Sequence, residues 1–313
     1  MTISTLTINP AVDKSTSVDR VVPEKKLRCE EPAWEPGGGG INVSRVLHRL
    51  GEDAATIITS GGPIGLLLEE LLKREGVRYQ AIPIESWTRE SLAVVETSTG
   101  RQFRFGLPGP ELQEMEWKKS LQLLDELNPL PTYLVASGSL PPGVPEDYYA
   151  RIADWARAKG VKLVVDTSGP PLALAIEAGV YLVKPNLGEL ASLYGKETIT
   201  GHEQEELAHE LIVKGKAELV AISLGARGAM LAHSGGFVYA MPPTVIAKST
   251  IGAGDSMVAG LVWALSQGLS MTDVLRYGVA CGTATTMRSG TGLCLKEDVE
   301  KLFEWMKNRG GNV

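Results

Sequence analysis

From residue 133 onward the sequence repeats one figure: a short, wholly apolar run, then turn residues, then a segment with helical spacing. YLVASG (133–138), KLVVDTS (162–168), VYLVKPN (180–186) and ELVAISLG (218–225) are the runs. The chain opens with a strand whose apolar residues stand at alternate positions over Ile3–Ile8, and AATIITS (54–60) is a further strand. A strand exposed on one side alternates apolar and polar residues, so a continuous apolar run needs cover on both faces. The segments between supply that cover. INVSRVLHRL (41–50) places Ile41, Val46, Leu47 and Leu50 on one helical stripe and is stopped by Gly51, and LLLEELLKREG (66–76) ends in another glycine. Strands that alternate with helices predict an α/β fold, a mostly parallel sheet with helices on both faces.

Two stretches break this rhythm. Residues 15–30 and 91–106 alternate apolar and polar positions, with a turn at Ser98–Gly100. They are expected to form antiparallel strands exposed on one side, inserted as a small lid or a dimerisation sheet. No linker, low-complexity tract or internal repeat divides the remainder, so one domain over 1–313 is expected, ending in the mostly helical stretch 271–307.

The formal net charge is −6, which argues against a duplex-DNA binder but leaves room for a small anionic substrate held by a local basic cluster. Cys29, Cys281 and Cys294 show no Cys-x-x-Cys spacing and fit a reducing compartment. The opening residues do not resemble a signal peptide, and no apolar run approaches the roughly 20 residues of a membrane helix. A cytoplasmic protein that uses neither nucleic acid nor membrane is expected.

The chemistry is concentrated where glycines meet helices. In KSTIGAGDSMVAG (248–260), Gly252 and Gly254 allow a tight turn and the helix after them presents its positive end. Such a point stabilises a phosphoryl anion, and Asp255 stands there as a proton acceptor. Taken alone, the motif reads first as a capped helix after a plain turn. A second cluster, EPGGGGINVSRVL (35–47), also feeds a helix, and four ordered glycines imply a close approach. It lacks the Gly-Lys-Ser/Thr of a Walker A loop. His48, His202, His209 and His233 have no metal spacing, and the six tryptophans are scattered.

Asn9-Pro10 with Asp13, the glycine cluster with Asn42, SGSLPPGV (137–144), KPNLGEL (184–190), SLGARGA (223–229) and GAGDS (252–256) occur in order along the chain. With this set the sequence resembles the PfkB-type sugar kinases of the ribokinase superfamily almost end to end. Within that family KLRC (26–29), PGGGGINV (36–43), WTR (87–89) and SGSLPPGV are most similar to the 6-phosphofructokinase branch. Kinases of fructose 1-phosphate and tagatose 6-phosphate usually have lysine where Gly39 stands. The resemblance implies a ribokinase-like fold with a β-sheet lid and transfer of phosphate from ATP to the C1 hydroxyl of fructose 6-phosphate. The other ketohexose phosphates are the alternative, and a non-catalytic sensor of sugar phosphate or nucleotide is a further one.

Carried over position by position, the resemblance makes Asp255 the base and Gly252, Ala253 and Gly254 the anion hole. Asp13, Gly38, Gly39, Asn42 and Ser139 become sugar contacts. Arg89, and more weakly Arg104, become ligands of the substrate phosphate, while Lys26 and Arg28 reach the phosphate of a neighbouring subunit in a homodimer built through the lid. Lys184, Asn186, Ser223, Gly225 and Gly228 fall on the ATP side. Glu189, in an Asn-x-x-Glu motif with Asn186, helps to hold Mg²⁺ through water. Ser249, Ile251, Arg288 and Gly290 match a K⁺ site, although Arg288 and Gly292 depart from the 6-phosphofructokinase branch, which has asparagine and arginine there.

Overall fold

The computed structural model describes residues 2–309. The first half runs β1 (Ile3–Thr7), β2 (Ala11–Val18), β3 (Ala33–Gly37), α1 (Gly39–Leu50), β4 (Ala55–Ser60), α2 (Gly62–Arg74), β5 (Tyr79–Pro83), β6 (Arg89–Glu96) and β7 (Gln102–Gly106). Then come α3 (Glu114–Glu126), β8 (Tyr133–Ser137), α4 (Tyr148–Lys159), β9 (Lys162–Asp166), α5 (Gly169–Ala178), β10 (Val180–Val183), α6 (Leu187–Leu193) and α7 (Gly201–Val213). The chain closes with β11 (Ala217–Ser223), β12 (Ala229–His233), β13 (Gly236–Ala240), α8 (Ala253–Ser266), α9 (Met271–Thr286) and α10 (Lys296–Arg309).

Nine strands form the main sheet in the order β13-β12-β11-β10-β9-β8-β1-β4-β5. The pairs from β11 across to β5 are parallel; only β11–β12 and β12–β13 are antiparallel. The apolar runs split between two cores as strand geometry requires. Ile3, Tyr133, Val135 and Val164 face one core with α1, α8, α9 and α10. Leu6, Leu134, Ala136, Leu163 and Val165 face the other, with α3, α4, α5 and α7. Both faces are thus covered, which is why these runs could be wholly apolar.

β1 pairs with β8 on one side and β4 on the other, so the winding of the sheet reverses beside it. In open α/β sheets the crevice beyond the carboxyl ends at such a reversal is the usual ligand site. Asn9, Asp13 and the glycines before α1 all lie just beyond the end of β1.

A second sheet has the order β3-β2-β6-β7. The alternating stretches do enter it, with two differences from the sequence expectation. Its strands are Ala11–Val18, Ala33–Gly37, Arg89–Glu96 and Gln102–Gly106, and residues 19–32 hold no strand. Pro23 and Pro32 remove ladder donors there, and Glu24 adopts a positive φ of 59°. The central pair β2–β6 is parallel, not antiparallel, while β2–β3 and β6–β7 are antiparallel. β2 continues outward from β1 and β6 follows β5, two strands of one parallel sheet, so both leave it in the same direction.

Candidate active site

The second sheet stands over the crevice, and a cleft of about 250 Å³ separates the two. Asp13, Ser91 and Arg104 line it from the sheet above; Gly38, Asn42, Gly252 and Asp255 line it from below. A second cleft of about 420 Å³ opens between β11, the 242–250 segment and α9. Its walls are mostly apolar, with Pro242, Pro243, Val245, Met257 and Val279, and it also takes in Ser223, Gly225 and Gly228. The N-terminus of α8 divides the clefts. Ile251, Gly252 and Asp255 face the first, Thr250, Ala253 and Gly254 the second.

Local rules explain this wall. Gly252 is the N-cap of α8 with φ 73°, a left-handed conformation that glycine adopts without strain. A helix leaves its first-turn N–H groups without intrahelical acceptors and carries a partial positive charge there. Gly254 has Lys184 beside it: a Cβ at Gly254 would lie 3.5 Å from Lys184 Nζ. Lys184 is only 6 % exposed and pairs with Asp166 at 3.2 Å, and this buried partner keeps the ammonium charged against the desolvation that opposes it. The helix end, Lys184 and the apolar pocket together suit a polyphosphate attached to a flat heterocycle.

Asp255 accepts a hydrogen bond from Asn42 Nδ2 at 2.9 Å. Burial raises its carboxyl to about 6, with the Asp166 charge adding to the rise and Asn42 and Lys184 opposing it. Burial likewise raises Asp13 to about 6, against the pull of Arg89 and Arg45. Both carboxyls are ionised near neutrality yet basic enough to take a proton, the property wanted of a general base. Arg89 is held by Asn9 O and Leu107 O, and its Nε is buried without a partner. Asn9 Nδ2 donates to Ser139 Oγ at 3.0 Å, and Asn9 Oδ1 is also buried and unpartnered.

The glycine run proves to be a packing requirement as well as a ligand wall. A Cβ at Gly37 would lie 2.3 Å from the Asp13 carboxylate, and one at Gly39 would lie 2.1 Å from Ser137 Oγ. The lysine common at position 39 in related kinases therefore has no room here unless Ser137 moves.

Other expected residues lie elsewhere. Lys26 and Arg28 are exposed on the strandless 19–32 segment, outside this chain's own cleft. Ser139 lines an adjoining hollow with Pro141 and Thr167. Asn186 and Glu189 form a reciprocal capping box at the start of α6, with Asn186 N donating to Glu189 Oε2 and Glu189 N donating to Asn186 Oδ1. Among the described residues no three His, Cys, Asp or Glu side chains gather to cage an ion. That suits a hard cation brought in on phosphate oxygens and water, with one or two carboxylates nearby. Ser249 Oγ donates to Gly290 O at 2.6 Å and Ile251 N donates to Ser249 Oγ, so these loops bring oxygen ligands of the kind K⁺ takes into contact. The Arg288 side chain turns toward Asp298, and because a guanidinium carries no oxygen only the backbone carbonyl of this residue could serve as a ligand.

Sequence reasoning missed Asp166 and Arg45. Asp166 ends β9 in KLVVDTS, and a carboxylate at the carboxyl end of a buried strand was the available signal. Arg45 sits at 1 % exposure on the apolar side of α1, where the helical spacing marked only hydrophobic residues.

The model of the pfkB family carbohydrate kinases matches residues 6–298. An ATP-dependent 6-phosphofructokinase isozyme 2 from Mycobacterium tuberculosis is 46% identical over 304 residues, covering 96% of this chain and 89% of that protein. The protein of the same description from Escherichia coli is 39% identical over 305 residues, with 97% and 98% covered. A crystal structure of Escherichia coli phosphofructokinase-2 in complex with potassium superposes with a TM-score of 0.93 at 38% identity, covering 98% of this chain and 99% of that one. Fold and sequence agree over nearly the whole chain, and the chain belongs to the pfkB family of carbohydrate kinases.

Proposed function

We propose that this protein is an ATP-dependent 6-phosphofructokinase, transferring the γ-phosphoryl group of ATP to the C1 hydroxyl of fructose 6-phosphate. The observation that carries the reading is the position of Asp255 on the wall between a polar cleft and an apolar one. The sugar phosphate occupies the first and the nucleotide the second. Asp255 accepts the C1 hydroxyl proton as the C1 oxygen forms its bond to the γ-phosphorus. The bond from that phosphorus to the β–γ bridging oxygen breaks, and ADP leaves with the electron pair. The N-terminus of α8 and Lys184 face the charge that grows on the transferring group. Arg89, with Arg104 beside it in the cleft, holds the phosphate already on the sugar. Asp13 and Asn42 orient the hydroxyls from within the cleft, with Ser139 at the adjoining hollow.

Glu189 and Asp166 would hold Mg²⁺ through water, and Ser249, Gly290 and the carbonyls of Ile251 and Arg288 would hold K⁺. Bound there, the cations supply charge neutralisation around the phosphates. Glycine at position 39, where related kinases of the other ketohexose phosphates usually carry lysine, favours fructose 6-phosphate. We read 1–313 as one cytoplasmic kinase domain whose lid pairs with that of a second copy. Trp34, Leu92 and Phe105 are exposed and share one row across the lid sheet with Lys14, which lies over the Trp34 ring, and that pairing would bring Lys26 and Arg28 toward the partner's cleft.

The test is a panel of fructose 6-phosphate, fructose 1-phosphate, tagatose 6-phosphate and fructose with ATP, following ADP formation. The highest kcat/KM is expected with fructose 6-phosphate. A tenfold preference for another sugar phosphate would overturn the assignment, and no turnover with any would favour a sensor.

A further inference from the structure

Arg45 is the largest side chain buried almost completely, at 1 % exposure, and nothing in the sugar or nucleotide clefts explains why an arginine should be there. Its donors are all used. Nε and Nη2 grip Glu75 at 2.8 and 2.5 Å, and Nη2 also reaches Glu35 at 3.2 Å. Nη1 donates to Pro36 O at 2.9 Å and to Asn42 Oδ1 at 3.3 Å. The last contact matters because Asn42 Nδ2 is the donor to Asp255. The amide stands between a guanidinium and a carboxylate. A guanidinium has donors only and a carboxylate acceptors only. One orientation of the amide satisfies both; the flipped one sets oxygen against oxygen at Asp255 and nitrogen against nitrogen at Arg45.

We propose that Arg45 is a positioning residue for phosphoryl transfer: it fixes the Asn42 amide so that Nδ2 faces Asp255. The assignment rests on the kinase reading above. Arg45 lines neither cleft; its hydrogen-bonded link to Asp255 runs through Asn42, and its charge also acts on Asp13. The same guanidinium is anchored to the lid through Glu35 and Pro36 of β3, and Glu35 in turn accepts from Thr291 Oγ1. The orientation of the amide is thus tied to the seating of the lid. The charges of Asp166, Lys184 and Asp13 also act on Asp255.

Arg45→Lys tests this. Lysine keeps a cation for Glu75 but has no second arm for Asn42 Oδ1. kcat is expected to fall between about ten- and a hundredfold, the range for one hydrogen bond to a charged group, while KM for ATP is unchanged. In an Asn42→Ala background, Arg45→Lys should lower kcat by less than about twofold, because two residues acting through one contact are not additive. An equal loss in both backgrounds overturns the proposal, and so does an Arg45→Lys enzyme with normal kcat. Should Arg45→Lys fold poorly, the Arg45→Met/Glu75→Gln pair removes the charge and its chief partner together, and the same cycle with Asn42→Ala decides. Fructose 6-phosphate turnover by the unmodified enzyme separates failure of this proposal from failure of the kinase reading.

Discussion

Replacing Asp255 by asparagine should make the protein more stable while abolishing its activity. The folded carboxyl titrates near 6 where an ordinary aspartate titrates at 3.8. Holding it ionised therefore costs the fold about 3 kcal/mol above pH 6. That cost is a net one and already contains the repulsion from Asp166 and the attractions to Asn42 and Lys184. Asparagine removes it, and its Oδ1 still accepts from Asn42 Nδ2, so a gain of about 1–3 kcal/mol, or roughly 2–6 °C in Tm, is expected at pH 7.5. The gain depends on pH in a definite direction. As pH falls from 6 toward 3.8, the native carboxyl binds its proton before the unfolded one does. The penalty on the natural protein disappears in that window, and the two melting curves should converge by about pH 4. Turnover should fall by about 10²–10⁴ because the amide cannot take a proton, with fructose 6-phosphate and ATP still bound. Differential scanning calorimetry at pH 7.5 and 4.5, alongside a coupled ADP assay, measures both. A variant less stable than the natural protein at pH 7.5, or one with near-normal turnover, would refute the reasoning.

Arg89→Ala should raise KM for fructose 6-phosphate and lower kcat/KM by about one to two decades while KM for ATP hardly moves; steady-state kinetics should show fructose far less affected. kcat/KM should drop about tenfold per pH unit below pH 6 as Asp255 of the free enzyme becomes protonated, and a kcat/KM profile flat to pH 5 would remove it as the base. Gly37→Ala should weaken binding of the sugar phosphate, read by calorimetric titration, because the new methyl group falls 2.3 Å from the Asp13 carboxylate and must push it aside. Sedimentation should find a dimer, and Phe105→Glu, which places charge on the lid's exposed row, should shift it toward monomer.

The sequence by itself determined the body of this protein. Short apolar runs such as LVV in KLVVDTS, bounded by turn residues, read as strands covered on both faces, and the helical stripes between them supply that cover. GAGDS announced its role for the same local reason: glycines, a helix start and one carboxylate are consecutive residues, so their geometry is set by a single turn. The lid was half legible. Its alternating strands could be seen, but not that β2 and β6 run parallel, because that depends on where β1 and β5 deliver the chain. Only the tertiary structure brought Asn42 to Asp255, 213 residues apart, and set Lys184 and Asp166 behind the anion hole. It also decided that Arg45, which the helical pattern leaves as one cation among apolar neighbours, would be buried with two carboxylates and an amide. Periodicity reports which face of a helix is covered. What covers it, and so the pKa and the orientation of each polar group in the site, is fixed only by the residues that other elements bring there.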